Sequence, residues 1–381
     1  MINFAAPGRH CWRGLIVVFV LASESLAGLS FDFRYIDDST GTFASRGWLD
    51  SNSLFQRNIA AAASLWGAHF ASDETIIIRV DPMSFAARAG GTFTLGRSLY
   101  MNPQGQKVWE AGPLTRILTG NNPGEEDFGY DILLGFDAPY VENNYWFDPQ
   151  PELRIAPVPS NKGDFLSVAL HELGHGFGMA GFRDFPTGEL NGANITQMDE
   201  LSYFGGNGDP IGPGGQRNAM YFDGETAARL FGRDLPLTHK PPGHPLHSQN
   251  YYHLSACDSG APDGLQGTLM NGCAVPHGER LHISPFDLAV YADMGYPMAN
   301  LFGDFNNDGD VDAADYVVWR KLLGTAYTTA YYNIWRSSFG STTARGVPVA
   351  SALPELPTCT LLLLAAIFSF AHCRRICSKS T

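Results

Sequence analysis

The residues of this chain best suited to chemistry are the two histidines and the glutamate of His171-Glu172-Leu173-Gly174-His175. Residues four apart share one face of an α-helix, so His171 and His175 can present imidazole nitrogens to one metal ion. Glu172 lies one position round the helix and can reach a fourth, water-occupied coordination site. The pattern predicts a zinc-binding helix that carries its own general base. The alternative is a surface helix with two unrelated histidines.

A catalytic zinc ion normally takes three protein ligands, so a further ligand is expected elsewhere in the chain. In the metzincin pattern, the third histidine follows a glycine in the turn that ends the helix. Gly178 stands at that glycine position and suits such a turn. The position of the third histidine is taken by Gly181, which has no side chain to offer. The compact metzincin motif is therefore incomplete in this chain.

A more distant histidine completes a different layout. His253 lies in Tyr251–Ser255 and precedes the segment Thr268–Gly272, which contains a Leu-Met pair. Residues 160–296 resemble the leishmanolysin-type zinc peptidases, in which a long insertion separates the helical histidines from the third one and a Leu-Met turn follows it. The resemblance implies that Met270 is the packed floor of the metal site, a role that suits its soft, unbranched side chain. It also implies three zinc ligands and one catalytic base: His171, His175, His253 and Glu172.

Other assignments of the third ligand stay open. The rival candidates are His239, His244, His247, His277 and His282. For each of them, a solvated surface histidine is the alternative. A domain with only two ligands would be inactive.

The expected reaction is hydrolysis of a peptide bond. Zinc lowers the pKa of its bound water, and Glu172 accepts the proton as that water attacks a carbonyl, then passes it to the leaving amine. The developing oxyanion needs a further donor, for which Tyr291 and Tyr296 are unranked candidates. The strand predicted over 131–136 is taken as the sheet edge along which an extended polypeptide substrate pairs.

A second metal site is predicted in the acidic segment 303–315. Its spacing matches an EF-hand calcium loop, with ligands at positions 1, 3, 5, 7, 9 and 12 and a glycine, here Gly309, at position 6. The last ligand is an aspartate rather than a glutamate, so its bidentate contact has a shorter reach. The alternative is an unliganded turn rich in Asp, Asn and Gly. The expected calcium ligands are Asp304, Asn306, Asp308, the backbone carbonyl of Asp310, Asp312 and Asp315.

This loop and the helix predicted over 313–323 resemble a dockerin type I module. Dockerins carry two such loops, whereas this chain has one, followed by a partial repeat around Trp335 that lacks a calcium loop. The resemblance implies a cohesin-like partner. Residues 300–342 are predicted to form a small helical pair stabilised by calcium.

Both ends of the chain have the character of targeting segments. Residues 1–27 combine basic residues, a short apolar run and a small-residue cleavage site, which is typical of a signal peptide. At the other end, a Pro-containing spacer, the apolar run Leu361–Ala371 and basic residues follow one another. That order resembles the PEP-CTERM sorting signals; the alternative is a plain tail anchor. The protein is expected to be exported to the cell surface or the exterior, with sorting machinery as a partner and the membrane contacted by its tail.

Charge and cysteine content agree with export. The net charge of −13, without a long basic run, argues against nucleic acid as a partner. Away from the targeting segments, the cysteines are Cys257 and Cys273. An oxidising compartment would allow them to form a disulfide, and two separate buried thiols are the alternative.

The apolar patterns indicate an α+β fold. Alternation predicts strands over 29–35, 75–80, 91–95 and 131–136, and helical periodicity predicts helices over 50–70, 224–230 and 285–296. The expected architecture is a zincin-type domain, a mixed sheet under two main helices, followed by a small all-α module of EF-hand or dockerin type. The expected segments are a signal peptide (1–27), the zincin-like domain (28–298), the calcium module (299–342), a linker (343–357) and a sorting or anchor segment (358–381).

Together these patterns predict an exported zinc endopeptidase that requires Zn²⁺ for catalysis and carries a Ca²⁺ site. The alternative, from a different class, is a cell-surface interaction protein in which the zincin domain is inactive and the docking module carries the function.

Overall fold

The computed structural model describes most of the chain between residues 28 and 342. The described ranges are 28–83, 88–184, 188–204, 219–239, 251–254, 265, 267–273, 275–306, 308–323 and 329–342. The predicted signal peptide, the linker over 343–357 and the C-terminal segment lie outside them, as do Cys257, His244 and His247. Within the described ranges, no helix has both the length and the apolar character needed to cross a membrane.

The described residues form a mixed α+β structure, the class expected from the sequence. The strands are β1 (Ser30–Tyr35), β2 (Thr75–Pro82), β3 (Ala89–Phe93), β4 (Leu95–Met101), β5 (Lys107–Ala111), β6 (Ile132–Phe136), β7 (Tyr145–Trp146), β8 (Gly163–Asp164), β9 (Asn194–Thr196), β10 (Ser202–Phe204), β11 (Ala219–Phe222) and β12 (Leu235–His239). The helices are α1 (Leu54–Gly67), α2 (Gly112–Thr119), α3 (Pro123–Phe128), α4 (Ala138–Asn144), α5 (Phe165–Gly176), α6 (Gln197–Glu200), α7 (Glu225–Phe231), α8 (Pro285–Asp293), α9 (Ala313–Leu322) and α10 (Ala330–Ser338).

The main sheet has the strand order β1-β2-β6-β3. β1, β2 and β6 are parallel, and β3 runs antiparallel to β6, with Gly91 opposite Leu134. Ile76, Ile78 and Val80 of β2 are fully buried, while the residues between them keep some exposure. This alternation shows that one face of the sheet is covered by the core. Smaller sheets are formed by β4-β5-β9, β10-β11-β12 and β7-β8.

The strand predicted over 131–136 is not a sheet edge, so that prediction is wrong. β6 lies between β2 and β3 and pairs with both. Ile132, Leu134 and Phe136 are fully buried. A nearly continuous apolar run is typical of an interior strand of a parallel sheet rather than of an edge. Among the described residues, the edge strand next to β6 is β3.

Helices α1 and α5 pack together against this sheet. Ser53 caps α1, its side chain accepting from the amide of Gln56 at 3.3 Å. Trp66 of α1 is fully buried and its indole nitrogen donates to the Leu170 carbonyl of α5 at 2.9 Å. A buried indole N–H needs a partner, so this bond fixes the position of α5 relative to α1.

The segment predicted as a separate calcium module shares the core of the preceding domain. α10 packs against α7, and Ile334 of α10 is fully buried in the main hydrophobic cluster. Arg229 of α7 donates to the Ser338 hydroxyl at 3.3 Å. Residues 299–342 are therefore attached by packing as well as by the chain.

Glycine at position 91 allows the edge strand β3 to contact helix α5. A Cβ atom on Gly91 would lie 1.8 Å from the Glu172 carbonyl oxygen, a backbone atom that has no rotamer by which to move away. We expect Gly91→Ala to lower the free energy of unfolding by about 3 kcal/mol, the upper range for overpacking.

The matched control is Gly90→Ala, because a Cβ there would meet only the flexible tip of Met83 at 4.0 Å. Urea denaturation of both variants checks the prediction. Equal midpoints for the two would contradict it.

Candidate metal centre

The helix that carries the two histidines is capped and closely packed. Asp164 precedes α5 and accepts from the Ser167 amide at 3.2 Å and from its hydroxyl at 2.6 Å. Gly176 faces the sheet, where a Cβ would lie 2.5 Å from Ile132. Gly178 has φ of +127°, a conformation that side chains disfavour, and the chain turns away from the helix axis there. These features fix where α5 begins, how close it lies to the sheet and where it ends.

Three histidine nitrogens meet at one point beside this helix. The Nε2 atoms of His171 and His175 are 3.2 Å apart, and the His253 Nε2 lies 3.2 Å from the first and 3.1 Å from the second. Two of these residues come from α5 and one from the distant segment 251–254. Of all His, Cys, Asp and Glu residues in the described ranges, only these three bring ligand atoms close enough to share an ion.

The tautomers of the two helical histidines leave their Nε2 atoms as acceptors. His171 Nδ1 lies 2.8 Å from the Leu269 carbonyl oxygen, and His175 Nδ1 lies 2.7 Å from that of Met179. A carbonyl can only accept, so each Nδ1 carries the proton and each Nε2 presents a lone pair to the other. Burial lowers the pKa of both side chains, that of His175 to about 3. Both imidazoles are thus neutral, as metal ligation requires.

This donor set fits a zinc ion. Three nitrogens at the usual Zn–N distance of about 2.0–2.1 Å in a tetrahedral site lie roughly 3.3–3.4 Å from one another. The observed spacings of 3.1–3.2 Å are close to that value. Lone pairs facing each other at this distance repel, and a cation between them removes the repulsion. Imidazole nitrogens also suit other late transition metals, so the donors favour zinc without being unique to it.

The segment that carries the third histidine is held on both sides. The Tyr252 hydroxyl donates to Asp199 at 2.7 Å, and the Leu254 amide donates to the Met270 carbonyl at 2.7 Å. His253 lies between these anchors. Its placement therefore depends on two distant elements, α6 and the turn at 268–271.

A buried aspartate organises that turn. Asp287 of α8 is fully buried, and its carboxylate accepts from the Leu269 amide at 3.0 Å and the Met270 amide at 2.9 Å. The same side chain accepts from the Ser284 amide at 2.7 Å, which closes a capping box at the start of α8. Since Leu269 and Met270 in turn contact His171 and the His253 segment, Asp287 positions two candidate ligands at once. Sequence reasoning missed this role, although the Ser-x-x-Asp pattern is a recognisable helix start.

A second aspartate explains why position 181 is glycine. A Cβ on Gly181 would lie 2.3 Å from the Asp199 carboxylate, which also accepts from the Phe182 amide at 2.9 Å and from Tyr252. Asp199 fills the space that a side chain at position 181 would need. It forms its own capping box with Thr196, a pattern that marks the helix start but not this second role.

Glu172 lies against the edge strand. Burial raises the pKa of its carboxyl to about 8, and a hydrogen bond from the Gly91 amide opposes the shift. A cation held by the neighbouring histidines would favour the carboxylate form. Glu172 is one residue from the candidate ligand His171 and lies against a strand edge, a position suited to proton exchange with a substrate bound at that edge.

The two tyrosines predicted as oxyanion donors are used elsewhere, so that prediction is wrong. The Tyr291 hydroxyl donates to the Gly174 carbonyl at 2.6 Å, and the Tyr296 hydroxyl donates to the Phe177 carbonyl. Both side chains are buried. They hold the C-terminal half of α5 in place and present no hydroxyl to the metal site.

Met270 packs beneath the histidines. It is fully buried, and a Cβ on Gly174 would lie 2.3 Å from its sulfur. Glycine at 174 thus lets the methionine approach the helix between the two histidines. Its role as the floor of a metal site stays a prediction from the resemblance.

Of the other candidate histidines, the two whose side chains the structure describes lie apart from this cluster. His277 is exposed, and His282 lies 3.3 Å from Arg154. The side chain of His239 and the whole of His244 and His247 fall outside what the structure describes. The predicted disulfide also involves a residue outside the described ranges, Cys257, so the pairing of Cys273 stays a prediction.

The acidic loop is organised mainly by its own amides. Asp315 is fully buried and accepts from the Phe305 and Asp312 amides at 2.7 and 2.8 Å, and Asp304 accepts from the Gly309 amide at 2.9 Å. Gly309 has φ of +91°, as the sharp turn requires. The described carboxylates do not converge as the histidines do. Calcium binding therefore stays a prediction from the spacing.

Comparison of the chain with protein-family models, with curated proteins and with solved structures gives no significant match in any of the three. The function is therefore inferred from the geometry of the site.

Removing one carboxylate oxygen from Asp287 should loosen the metal site. In Asp287→Asn, an amide N–H faces a backbone N–H, and one buried donor loses its acceptor. We expect a loss of stability of about 2 kcal/mol and a zinc affinity lower by about 10–100-fold.

Asp293→Asn is the matched control, because Asp293 also accepts from two backbone amides, those of Thr226 and Ala227, but far from the histidines. It should lose stability without losing zinc affinity. Competition with a zinc chelator measures the affinities. Equal losses of affinity in both variants would argue that Asp287 has no positioning role.

Calcium binding to the acidic loop should stabilise the protein. Saturating calcium is expected to raise the melting temperature by roughly 5 °C, because it binds the folded loop and not the unfolded chain. Asp308→Ala removes one predicted ligand and should abolish the rise. Magnesium serves as the control ion in the same thermal scan, and an unchanged melting point of the wild type in calcium would refute the site.

Proposed function

We propose that this protein is a zinc-dependent endopeptidase that acts outside the cytoplasm. The observation that carries the proposal is the meeting of three Nε2 atoms within 3.2 Å of one another, with Glu172 next to His171 on the same helix. Three imidazoles are the donor set of a catalytic zinc site with one open position, and the adjacent carboxylate is suited to act as its general base. Export and surface attachment are supported by the sequence of the two terminal segments.

The residues of the candidate site would have different roles in this reaction. His171, His175 and His253 would hold the metal. When bound, zinc supplies a Lewis acid that makes a water molecule acidic and polarises the substrate carbonyl. Glu172 accepts the proton of the attacking water and delivers it to the departing amine, so that the amine leaves neutral. The Gly91 amide, which donates to Glu172, orients the carboxylate.

The edge of the main sheet supports an extended polypeptide as substrate. In the described part of the chain, β3 pairs with β6 on one side and with no strand on the other. Gly91, in the middle of β3, contacts Glu172. A peptide that adds to the free edge of β3 would lie with its backbone beside the metal and the base. This edge replaces β6, which the sequence indicated.

The alternative function is a surface interaction protein with an inactive zincin domain. One observation favours it: residues 313–339 carry a cluster of aromatic rings in which Tyr316 and Phe339 are exposed. Exposed aromatic side chains are common in interfaces. Under this alternative, loss of the metal would leave partner binding unchanged.

Two variants test the peptidase. Glu172→Ala should reduce digestion of unfolded casein by about 100-fold or more, since a positioned general base contributes 10²–10⁴, while zinc stays bound. Glu279→Ala, an exposed glutamate, is the matched control. His253→Ala should lower zinc affinity by more than the roughly 10–100-fold that outer residues contribute, with exposed His277→Ala as control.

Metal content is measured by mass spectrometry and digestion by release of labelled fragments. Undiminished digestion by Glu172→Ala would sink the assignment of the base. A wild-type protein that holds zinc and cleaves neither casein nor peptides would favour the interaction protein.

A further inference from the structure

A cavity of about 660 Å³ opens at the C-terminal end of β3. It is bordered by residues 92–96 on one side and 180–182 on the other. Thr92 directly follows Gly91, which contacts Glu172, and Ala180 directly follows Met179, whose carbonyl accepts from His175. The cavity is therefore lined by the residues that directly follow Gly91, which contacts Glu172, and Met179, which accepts from His175.

Five aromatic side chains line this cavity. Its rings come from β3, β5, the region of α3 and the segment after α5: Phe93, Trp109, Phe128, Tyr130 and Phe182. Phe128 and Phe182 are 62% and 47% exposed, so apolar surface stands open to solvent at this position. Exposing large apolar groups costs free energy, which an apolar ligand would recover on binding.

The cavity carries a single negative charge. Asp127 is the one ionisable acid or base other than tyrosine among the described lining residues, and it is exposed at the wall. A carboxylate side chain of a ligand would be repelled there. A neutral, large apolar side chain meets no such penalty, and a volume of 660 Å³ is within the range of pockets that enclose small organic groups.

The direction of β3 decides which part of a substrate reaches the cavity. β3 runs from Ala89 to Phe93, with Gly91 at the reactive centre and the cavity after Thr92. An antiparallel partner continues the pattern of β6 and β3 and is the slightly more stable pairing. In that orientation, the residues N-terminal to the cleaved bond lie beside Thr92 and Phe93.

We propose that this cavity is the specificity site of the enzyme, and that it binds a large apolar side chain, aromatic or long aliphatic, on the N-terminal side of the cleaved bond. This inference rests on the proposed peptidase function. It names the class of polypeptide that the site selects: chains that present an exposed aromatic or leucine-type residue just before the bond.

The test uses a series of fluorogenic peptides of one sequence, with Phe, Ala or Asp placed in turn at each of the positions around the cleaved bond. For zinc-loaded wild type, kcat/KM for Phe should exceed that for Ala by about tenfold or more at one N-terminal position, with Asp the poorest. In Phe128→Ala and Phe182→Ala, the ratio of Phe to Ala should fall to about threefold or less, since each removes part of the apolar wall. Leu153→Ala, an exposed apolar residue elsewhere, should keep the wild-type ratio.

A binding measurement provides a second test of the specificity site, one that does not depend on catalysis. Zinc-loaded Glu172→Ala is titrated with dye-labelled Phe and Ala peptides, and fluorescence anisotropy should show the Phe peptide binding about tenfold more tightly. Introducing Phe128→Ala into this variant should remove the difference.

The outcomes separate the two proposals. Cleavage without any preference on the N-terminal side, or a ratio that Phe128→Ala and Phe182→Ala leave unchanged, overturns the specificity site and leaves the peptidase intact. A preference only on the C-terminal side overturns the stated orientation of the substrate. No cleavage of any peptide by zinc-loaded wild type overturns the peptidase function, and the specificity site with it.

Discussion

The structure depends on holding three imidazole nitrogens within 3.2 Å of one another. The Nε2 lone pairs of His171 and His175 repel unless a cation lies between them, so each ring must be held by other contacts. His171 and His175 are held through Nδ1 by the carbonyls of Leu269 and Met179. His253 is held through its neighbours in the chain. The surrounding polar groups oppose this repulsion by fixing backbone positions.

Two buried aspartates provide much of that rigidity. A buried carboxylate is costly to desolvate, and hydrogen bonds from backbone amides offset the cost. Burial raises the pKa of Asp287, and the amides of Leu269, Met270 and Ser284 oppose the shift. Each aspartate accepts hydrogen bonds both from the start of a helix and from a segment near the candidate metal site. A change in either helix cap would therefore shift the candidate ligands.

Glycines set the distances between the layers. Gly91 lets β3 lie on the backbone of Glu172, Gly174 admits the sulfur of Met270, and Gly176 lets α5 approach Ile132. A side chain at these positions would displace β3, Met270 or α5. Among the described residues, β3 has no strand partner other than β6, and the cavity lined by Phe93 and Phe128 lies at the C-terminal end of the same strand.

Local patterns were enough to predict the α+β class, the histidine helix and the start of α8 at Ser284, because helix periodicity and capping depend on near neighbours. The candidate ligand His253 came instead from the resemblance to leishmanolysin-type peptidases, and several other histidines were left open as third ligand. The predictions of β6 as a sheet edge and of the two tyrosines as oxyanion donors were wrong. Strand order, the partner of a buried hydroxyl and the second contact of Asp199 or Asp287 are decided by residues far away in the chain. Only the packed tertiary structure brings those residues together, since each contact depends on where the core places both partners.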